Sequence, residues 1–446
     1  MSEKAKPKKS TVRHTRAIQR DRTKRPNRAP PDDQIEARLT ELVHPATLNQ
    51  VAHFHHLGLR ERILNLPVMM AFVLSLIWRQ LGSVAEAVRV LNREGLLWVD
   101  ERKLSQQAVE QRLGSLPAVL FERVLHELLP QMAQRWQERT RPLPPALGWA
   151  QQHFSAVLAL DGSTLDALLR KCGLLRDGEG PVLAGRMAAL LDVISRLPYA
   201  LWYEPSQRAN DQRFWEPALA ALESGTLLIF DLGFLNFARF DQLTDAGVFF
   251  LSRMEERVVY QVETVLQAST HFHDLLVWGG SGPASRCAHP LRLVEWQHQG
   301  KWYRYLTNVV DQRQLPAEYV VALYWQSWRI EDAFNVVKRL LGLAYFWTGS
   351  LNGVQVQVWA TWIVYAVLVD LTDGVAQALN KPFQALSLEM VYRGLYHFTQ
   401  AYHRGETDDV VAYLAAEAEG LGIIKRKRKK RAAAIDLLYL TIPDPP

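Results

Sequence analysis

Cysteine is nearly absent. Cys172 and Cys287 are the only two in 446 residues. Two thiols supply neither a disulfide framework nor a cysteine-based zinc site, so the chain reads as cytosolic. Long apolar runs are missing too. The longest, Val358 to Val369, is too short to span a bilayer and contains Thr361; it reads as a buried helix. The basic N-terminus carries no apolar segment of the signal-peptide kind. What the chain does have is length for two or three domains and 48% hydrophobic residues with which to build their cores.

Charge is unevenly placed. The net charge is +6, but residues 1–28 hold eleven Lys/Arg against two acids, for +9. Lys425 to Arg431 is seven consecutive basic residues, so the remainder carries −10. A partner rich in phosphate would have to be met by patches and tails, with an affinity that falls steeply with salt. Lys425, Arg426, Lys427 and Arg428 are therefore candidate nucleic-acid contacts. Either segment could also be a solubilising tail.

Two apolar runs end abruptly in aspartate. Phe154-Ser-Ala-Val-Leu-Ala-Leu leads into Asp161-Gly-Ser-Thr164, and Thr226-Leu-Leu-Ile-Phe leads into Asp231-Leu-Gly-Phe234. Continuous apolar runs bounded by turn residues predict strands buried on both faces. The C-terminal ends of such strands are where open α/β sheets bind ligands. A third acid lies in Tyr324-Trp-Gln-Ser-Trp-Arg-Ile-Glu331-Asp-Ala-Phe-Asn-Val-Val-Lys338. Tyr324, Glu331 and Lys338 are seven residues apart, about two helical turns, so one helix would present them on one stripe, opposite a core-facing stripe of Ile330, Phe334, Val337 and Leu341. The solvated side of an amphipathic helix shows the same pattern. Three hard oxygen ligands suit Mg²⁺ or Mn²⁺, and a pair of such ions can activate one oxygen and stabilise another in phosphodiester displacement.

The intervening runs predict strands at Met187 to Ile194 and Tyr199 to Tyr203, a helix from Phe214 to Leu222, the strand before Asp231, a helix at Phe237 to Leu243 and a strand at Val248 to Ser252. Three strands, then helix, strand, helix, strand is the order of a ribonuclease-H-like α/β core. Arg292 to Trp296 and Trp302 to Thr307, turning at Gly300, predict a hairpin in a β-rich insertion.

With these residues the chain resembles the DDE transposases of the bacterial insertion-sequence-four family. The resemblance rests on Leu160-Asp161-Gly-Ser-Thr164, Asp231-Leu-Gly-Phe234, Leu306-Thr-Asn308 and the segment Tyr324 to Lys338. The family's Tyr, Arg, Glu, Lys signature is met at Tyr324, Glu331 and Lys338, while Ser327 stands where the family has Arg. Arg329 is about 200° around a helix from that position.

The resemblance implies a basic arm (1–33), a helical N-terminal DNA-binding domain (34–140), a ribonuclease-H-like core in two parts (150–256 and 311–380) around the insertion (257–310), and a C-terminal helical region with a basic tail (381–446). It implies that Asp161, Asp231 and Glu331 hold two Mg²⁺ or Mn²⁺ ions. Tyr324, Arg329 and Lys338 would meet DNA, and Trp296 or Trp302 would stack on a flipped base. The expected partners are double-stranded DNA, as terminal inverted repeats and target, and a second copy in a synaptic dimer. No membrane is expected, and the setting is the bacterial cytoplasm at the nucleoid. Cleavage at the element's ends and joining to target DNA is the implied activity. A nuclease that cuts without joining, or a DNA-binding derivative without catalysis, are the alternatives.

Elsewhere, Ser83-Val-Ala-Glu86 is a capping box, Ser105 caps a helix over Gln106 to Leu113, and Pro117 opens a third. The middle helix carries Gln106, Gln107, Gln111 and Arg112, residue types that read bases; any small helical bundle would look similar. Arg141 to Pro145 reads as a stiff linker to the core. His53-Phe-His-His56 and His271-Phe-His-Asp274 lack a well-spaced third metal ligand.

Overall fold

A computed structural model describes residues 33–165, 185–205, 211–231, 236–280, 286–298, 300–343, 346–348 and 350–425. The N-terminal arm, Asp166, Leu232 to Leu235, Arg426, Lys427 and Arg428 lie outside the described residues. The helices of the first third are α1 (Asp33–Asn49), α2 (Val51–His56), α3 (Leu66–Trp78), α4 (Val84–Glu94), α5 (Gln106–Ser115), α6 (Val119–Glu138) and α7 (Pro145–His153). Their starts follow the capping chemistry of the sequence. Ser83 Oγ accepts from Glu86 N and Ser105 Oγ from Ala108 N, and α4 stops at Gly95 with φ +75°.

A mixed α/β region follows: β1 (Val157–Thr164), β2 (Arg186–Asp192), β3 (Pro198–Glu204), α8 (Trp215–Ala221), β4 (Leu227–Phe230), α9 (Phe237–Asp245) and β5 (Phe249–Arg253). Strands β6 (Tyr260–Ser269), β7 (Phe272–Gly279), β8 (Leu291–His298) and β9 (Lys301–Thr307) come next. All nine form one sheet in the order β3-β2-β1-β4-β5-β9-β8-β7-β6. β1, β4 and β5 are parallel neighbours, and β1 to β3 form an antiparallel meander. The inserted strands are thus a continuation of the sheet, joined where β9 pairs antiparallel with β5. Thr307 and Asn308 lock that junction. Thr307 Oγ1 donates to Phe250 O, and Asn308 accepts from Phe250 N and donates to Val248 O and to Thr244 Oγ1 on α9.

Residues alternate between two cores, as strand geometry requires. Leu158, Leu160, Leu228 and Phe230 pack with Trp215, Phe240 and Leu243 under α8 and α9. Val157, Ala159, Leu227 and Ile229 join the larger core on the opposite face. That core contains α10 (Ala317–Gln326), α11 (Arg329–Asn335), α12 (Leu351–Ala378), α13 (Leu388–His403) and α14 (Val410–Ala416), and it runs on without a break into the N-terminal helices.

The apolar run Val358 to Val369 sits inside α12, which is longer than the run itself. Its 28 residues are long and apolar enough to cross a membrane by length and composition, yet its apolar window is 94% buried within the protein. α12 packs on α3, α5 and α6, which is why the N-terminal helices are fastened to the α/β region. Ion pairs reinforce this. Buried Asp370 faces Arg38 (3.6 Å), Arg135 (3.2 Å) and Arg139 (2.7 Å), and buried Asp373 faces Arg139 (3.0 Å) and Arg141. Arg141, expected in a linker, is thus part of the join. Asp370→Ala leaves three guanidiniums without their shared counter-charge, and uncompensated buried charge costs about 3–5 kcal/mol. We expect a denaturation midpoint lowered accordingly in urea titrations; an unchanged midpoint would show the network to be energetically neutral.

Candidate carboxylate cleft

The register of three parallel strands builds the site. Leu160 pairs with Phe230, and Phe230 with Ser252, so Asp161, Asp231 and Arg253 follow in one row along the C-terminal edge of the sheet. Neighbouring strands are about 4.8 Å apart. The alternation of faces turns all three toward the side covered by α10 to α12. A cleft of ≈ 160 Å³ opens there, lined by Asp161, Asp231, Arg253, Tyr324, Trp328 and Glu331, among others.

Burial dominates the electrostatics of the cleft. The Asp161 carboxyl is pushed up to about 7. Burial is the main cause, followed by the like charges of Asp211, Glu331 and Asp231, against the backbone N–H of Gly162 donating at 2.7 Å. Tyr324 Oη donates to Asp231 Oδ1 at 3.0 Å. Burial, and then the Asp231 charge, hold that phenol well above its ordinary range, so it stays a donor. Lys338 Nζ donates to Ser163 Oγ at 2.8 Å, two residues beyond Asp161.

The single helix expected from Tyr324 to Lys338 is in fact interrupted. α10 ends at Gln326, α11 starts at Arg329, and Val336 to Leu340 form a wider π-turn carrying Lys338. The backbone at Ser327 and Trp328 keeps helical dihedrals, but Ser327 N and Ile330 N bond three residues back, to Tyr324 O and Ser327 O. The Ser327 hydroxyl also donates to Tyr324 O at 2.6 Å. A serine competing for backbone acceptors tightens the turn at this point. Tyr324 and Glu331 still line one cleft, but Tyr324 is buried (7% exposed) whereas Glu331 is exposed.

Residues 178–367 match the family described as Transposase DDE domain. Asp231, Tyr324, Glu331 and Lys338 fall within that stretch, and Asp161 precedes it. Over 221 residues the chain is 30% identical to a Sinorhizobium fredii (strain NBRC 101917 / NGR234) protein called "Putative transposase y4zB", covering 48% of this chain and 60% of that protein's length. A piggyBac transposase, solved in a synaptic complex with hairpin DNA, aligns over 91% of this chain and 89% of its own, with a TM-score of 0.43 and 12% identity. The family match takes in less than half of this chain, and the chain spans about 60% of that relative's length.

The other candidate DNA contacts are dispersed. Arg329 turns away from the cleft, pairing with Asp332 at 3.2 Å and lining a separate pocket. Trp296 packs against His298 and Tyr303, and Trp302 stacks on His273 with centroids 4.8 Å apart; neither lines the cleft. Arg112 donates to Leu64 O at 3.0 Å and covers the Phe54 ring, so it ties α5 to its neighbours. Lys425 is exposed and donates to Gln384 O at 3.3 Å. Asp274, from the His271 to Asp274 cluster, is buried against Arg292 with both oxygens accepting at 2.7 Å.

Three cleft features were not anticipated. Arg253 is the cation in the row with the two aspartates; its signal was the same as theirs, a charged residue ending a buried strand. Asp211 lies against Gly162, where a β-carbon would collide with its carboxylate, and is held by Arg186 Nε at 2.6 Å. Trp325 and Trp328 stack at 6.2 Å, with Trp328 54% exposed at the cleft.

The donor set suits a hard divalent cation. It consists of carboxylate oxygens only, that of Asp161 with a proton affinity raised chiefly by burial. Among the described residues, no group of three His, Cys, Asp or Glu side chains is already drawn together as a ligand cage.

Proposed function

We propose that this chain is a DNA transposase of the insertion-sequence-four type, with a ribonuclease-H-like catalytic core. The observation that carries the reading is the row of Asp161 and Asp231 on adjacent parallel strand ends, with Glu331 facing them across one cleft. The sheet order and the family match at residues 178–367 support it.

In this reading Asp161, Asp231 and Glu331 hold two Mg²⁺ or Mn²⁺ ions. When bound, such ions activate the attacking oxygen and stabilise the leaving one. The protein's own groups prepare the site. Tyr324 fixes Asp231 by its hydrogen bond, and exposed Glu331 closes onto the two aspartates. Lys338 and Arg253 neutralise the phosphodiester, Arg253 supplying a cation where Ser327 supplies none. The Trp325–Trp328 pair offers a stacking surface for an unpaired base, an interaction worth roughly 1–3 kcal/mol. The N-terminal helices and basic segments bind terminal repeats, and two copies bring two ends together. The chain works in the bacterial cytoplasm at the nucleoid.

The test incubates the full chain with Mg²⁺, labelled element-end DNA and a target plasmid. Joined products are expected. Cutting without joining would favour a nuclease instead, and binding without cutting a non-catalytic derivative. Neutral residues in place of Lys425 to Arg431 should weaken duplex binding and reduce the slope of log affinity against log salt by about 0.9 for each phosphate no longer neutralised. An unchanged slope in salt-series titrations would assign that run to solubility.

A further inference from the structure

A second and larger pocket, of ≈ 240 Å³, lies on the other side of α11 from the carboxylates. Its walls come from the β2–β3 turn, the π-turn after α11, the start of α13 and Lys425. Arg196, Arg329, Arg339, Arg393 and Lys425 line it, against two carboxylates, Asp332 and Glu389. Both acids are engaged by neighbours along their own helices, Asp332 by Arg329 at 3.2 Å and Glu389 by Arg393 at 2.6 Å. The surplus is three positive charges.

Arg196 is the decisive residue. It is only 6% exposed, and its Nε has no hydrogen-bond partner. The turn is built to hold it there. Asp192 Oδ1 accepts from Ile194 N and Ser195 N, Arg196 takes φ +67°, and Tyr365 Oη donates to the Arg196 carbonyl at 2.9 Å. The Phe383 ring lies under the guanidinium at 5.7 Å. A left-handed backbone is unfavourable for a non-glycine residue, and so is a buried guanidinium N–H that bonds nothing; Asp192 and Asp332 offset only part of this. Burial and the nearby Arg329 accordingly push the Arg196 guanidinium down to about 9. Such an arrangement is what an incoming anion would relieve.

We propose that this pocket is a phosphate-binding site that grips the backbone of duplex DNA behind the catalytic segment, away from the strand being cut. Guanidiniums converging from four elements suit the paired oxygens of a phosphodiester. The linear polyanion is favoured over a compact phosphate ligand because Lys425 leads straight into six further consecutive basic residues. Phosphate binding stands apart from the transposase reading; only the choice of DNA as its bearer rests on it.

The experiment uses the full chain, its Arg196→Met variant and, as a surface change that spares the fold, Arg393→Ala. Inorganic phosphate at constant ionic strength should raise the melting temperature of the parent more than chloride does, and both variants should lose that gain. A short duplex of arbitrary sequence should compete with phosphate, and both variants should bind it about tenfold more weakly or worse. No phosphate-specific gain in the parent overturns the site. A gain that duplex DNA does not compete away overturns DNA as the ligand and leaves a small phosphate compound. Normal end joining with unaltered variant binding would sink this inference alone. Lost variant binding in a protein that never cuts or joins would sink the transposase reading alone.

Discussion

Glu331→Gln is expected to abolish cleavage of element-end DNA while leaving binding of that DNA intact. The change keeps the size and hydrogen-bonding capacity of the side chain and removes its charge. Glu331 is exposed at the start of α11, so little packing depends on it, and the fold should be unaffected. In the proposed site the Glu331 charge holds the second ion, and two-metal chemistry needs both. A fall in cleavage of about a thousandfold or more, ~4 kcal/mol in the barrier, is the scale expected when the charge that organises such a site is lost. Lys338→Ala should be milder. It removes one charge-assisted hydrogen bond, worth roughly 1.5–3 kcal/mol, and leaves the carboxylates alone. Single-turnover cleavage measured beside a binding titration decides both. Parent-rate cleavage by Glu331→Gln would end the DDE reading.

Elements governed by local pattern were legible in the sequence. The runs before Asp161 and Asp231 are too apolar and too short for anything but buried strands, and β1 and β4 appear there as parallel neighbours. The strand and helix order from Met187 to Ser252 follows from alternating apolar runs and turns, and the Gly300 turn, with φ +76°, joins β8 to β9. The hidden features depend on long-range contacts. The helix carrying Tyr324 breaks because Ser327 finds a backbone acceptor, which spacing cannot reveal. Arg112 looked like a base-reading residue, but Leu64 O and Phe54 occupy it, and both are distant in sequence.

Composition misled in one further way. The stiff-linker reading of Arg141 to Pro145 came from its prolines, yet the Arg141 guanidinium belongs to the buried network of Asp370 and Asp373 on α12. Nothing local in an apolar helix announces that two acids inside it are paired with arginines 235 and 234 residues upstream. Arg253 was recoverable by the rule that found the aspartates, since it too ends a buried strand in the same row. A strand-end rule confined to acids passes over a cation.

Asp161→Asn should be inactive and, without divalent ions, more stable than the parent. The carboxyl is pushed up to about 7, chiefly by burial and then by Asp211, Glu331 and Asp231. The folded state therefore holds its proton where the unfolded chain, near 4, has released it. Stability from this group is present at low pH, declines as pH rises from about 4 through about 7, and is absent above. The amide carries no charge and escapes the decline. Its advantage should be negligible near pH 4 and reach about 1–3 kcal/mol by pH 8 after allowance for solvent screening, a shift of several degrees in Tm. Mg²⁺ should reverse the order by stabilising the parent and not the variant, since an ion that binds only the folded site adds its binding free energy. Melting curves in chelator at acidic and alkaline pH, repeated with Mg²⁺, test each step. A variant less stable than the parent in chelator at pH 8 would mean that Asp161 is held by structural partners, and a cleft in that condition has no need of a cation.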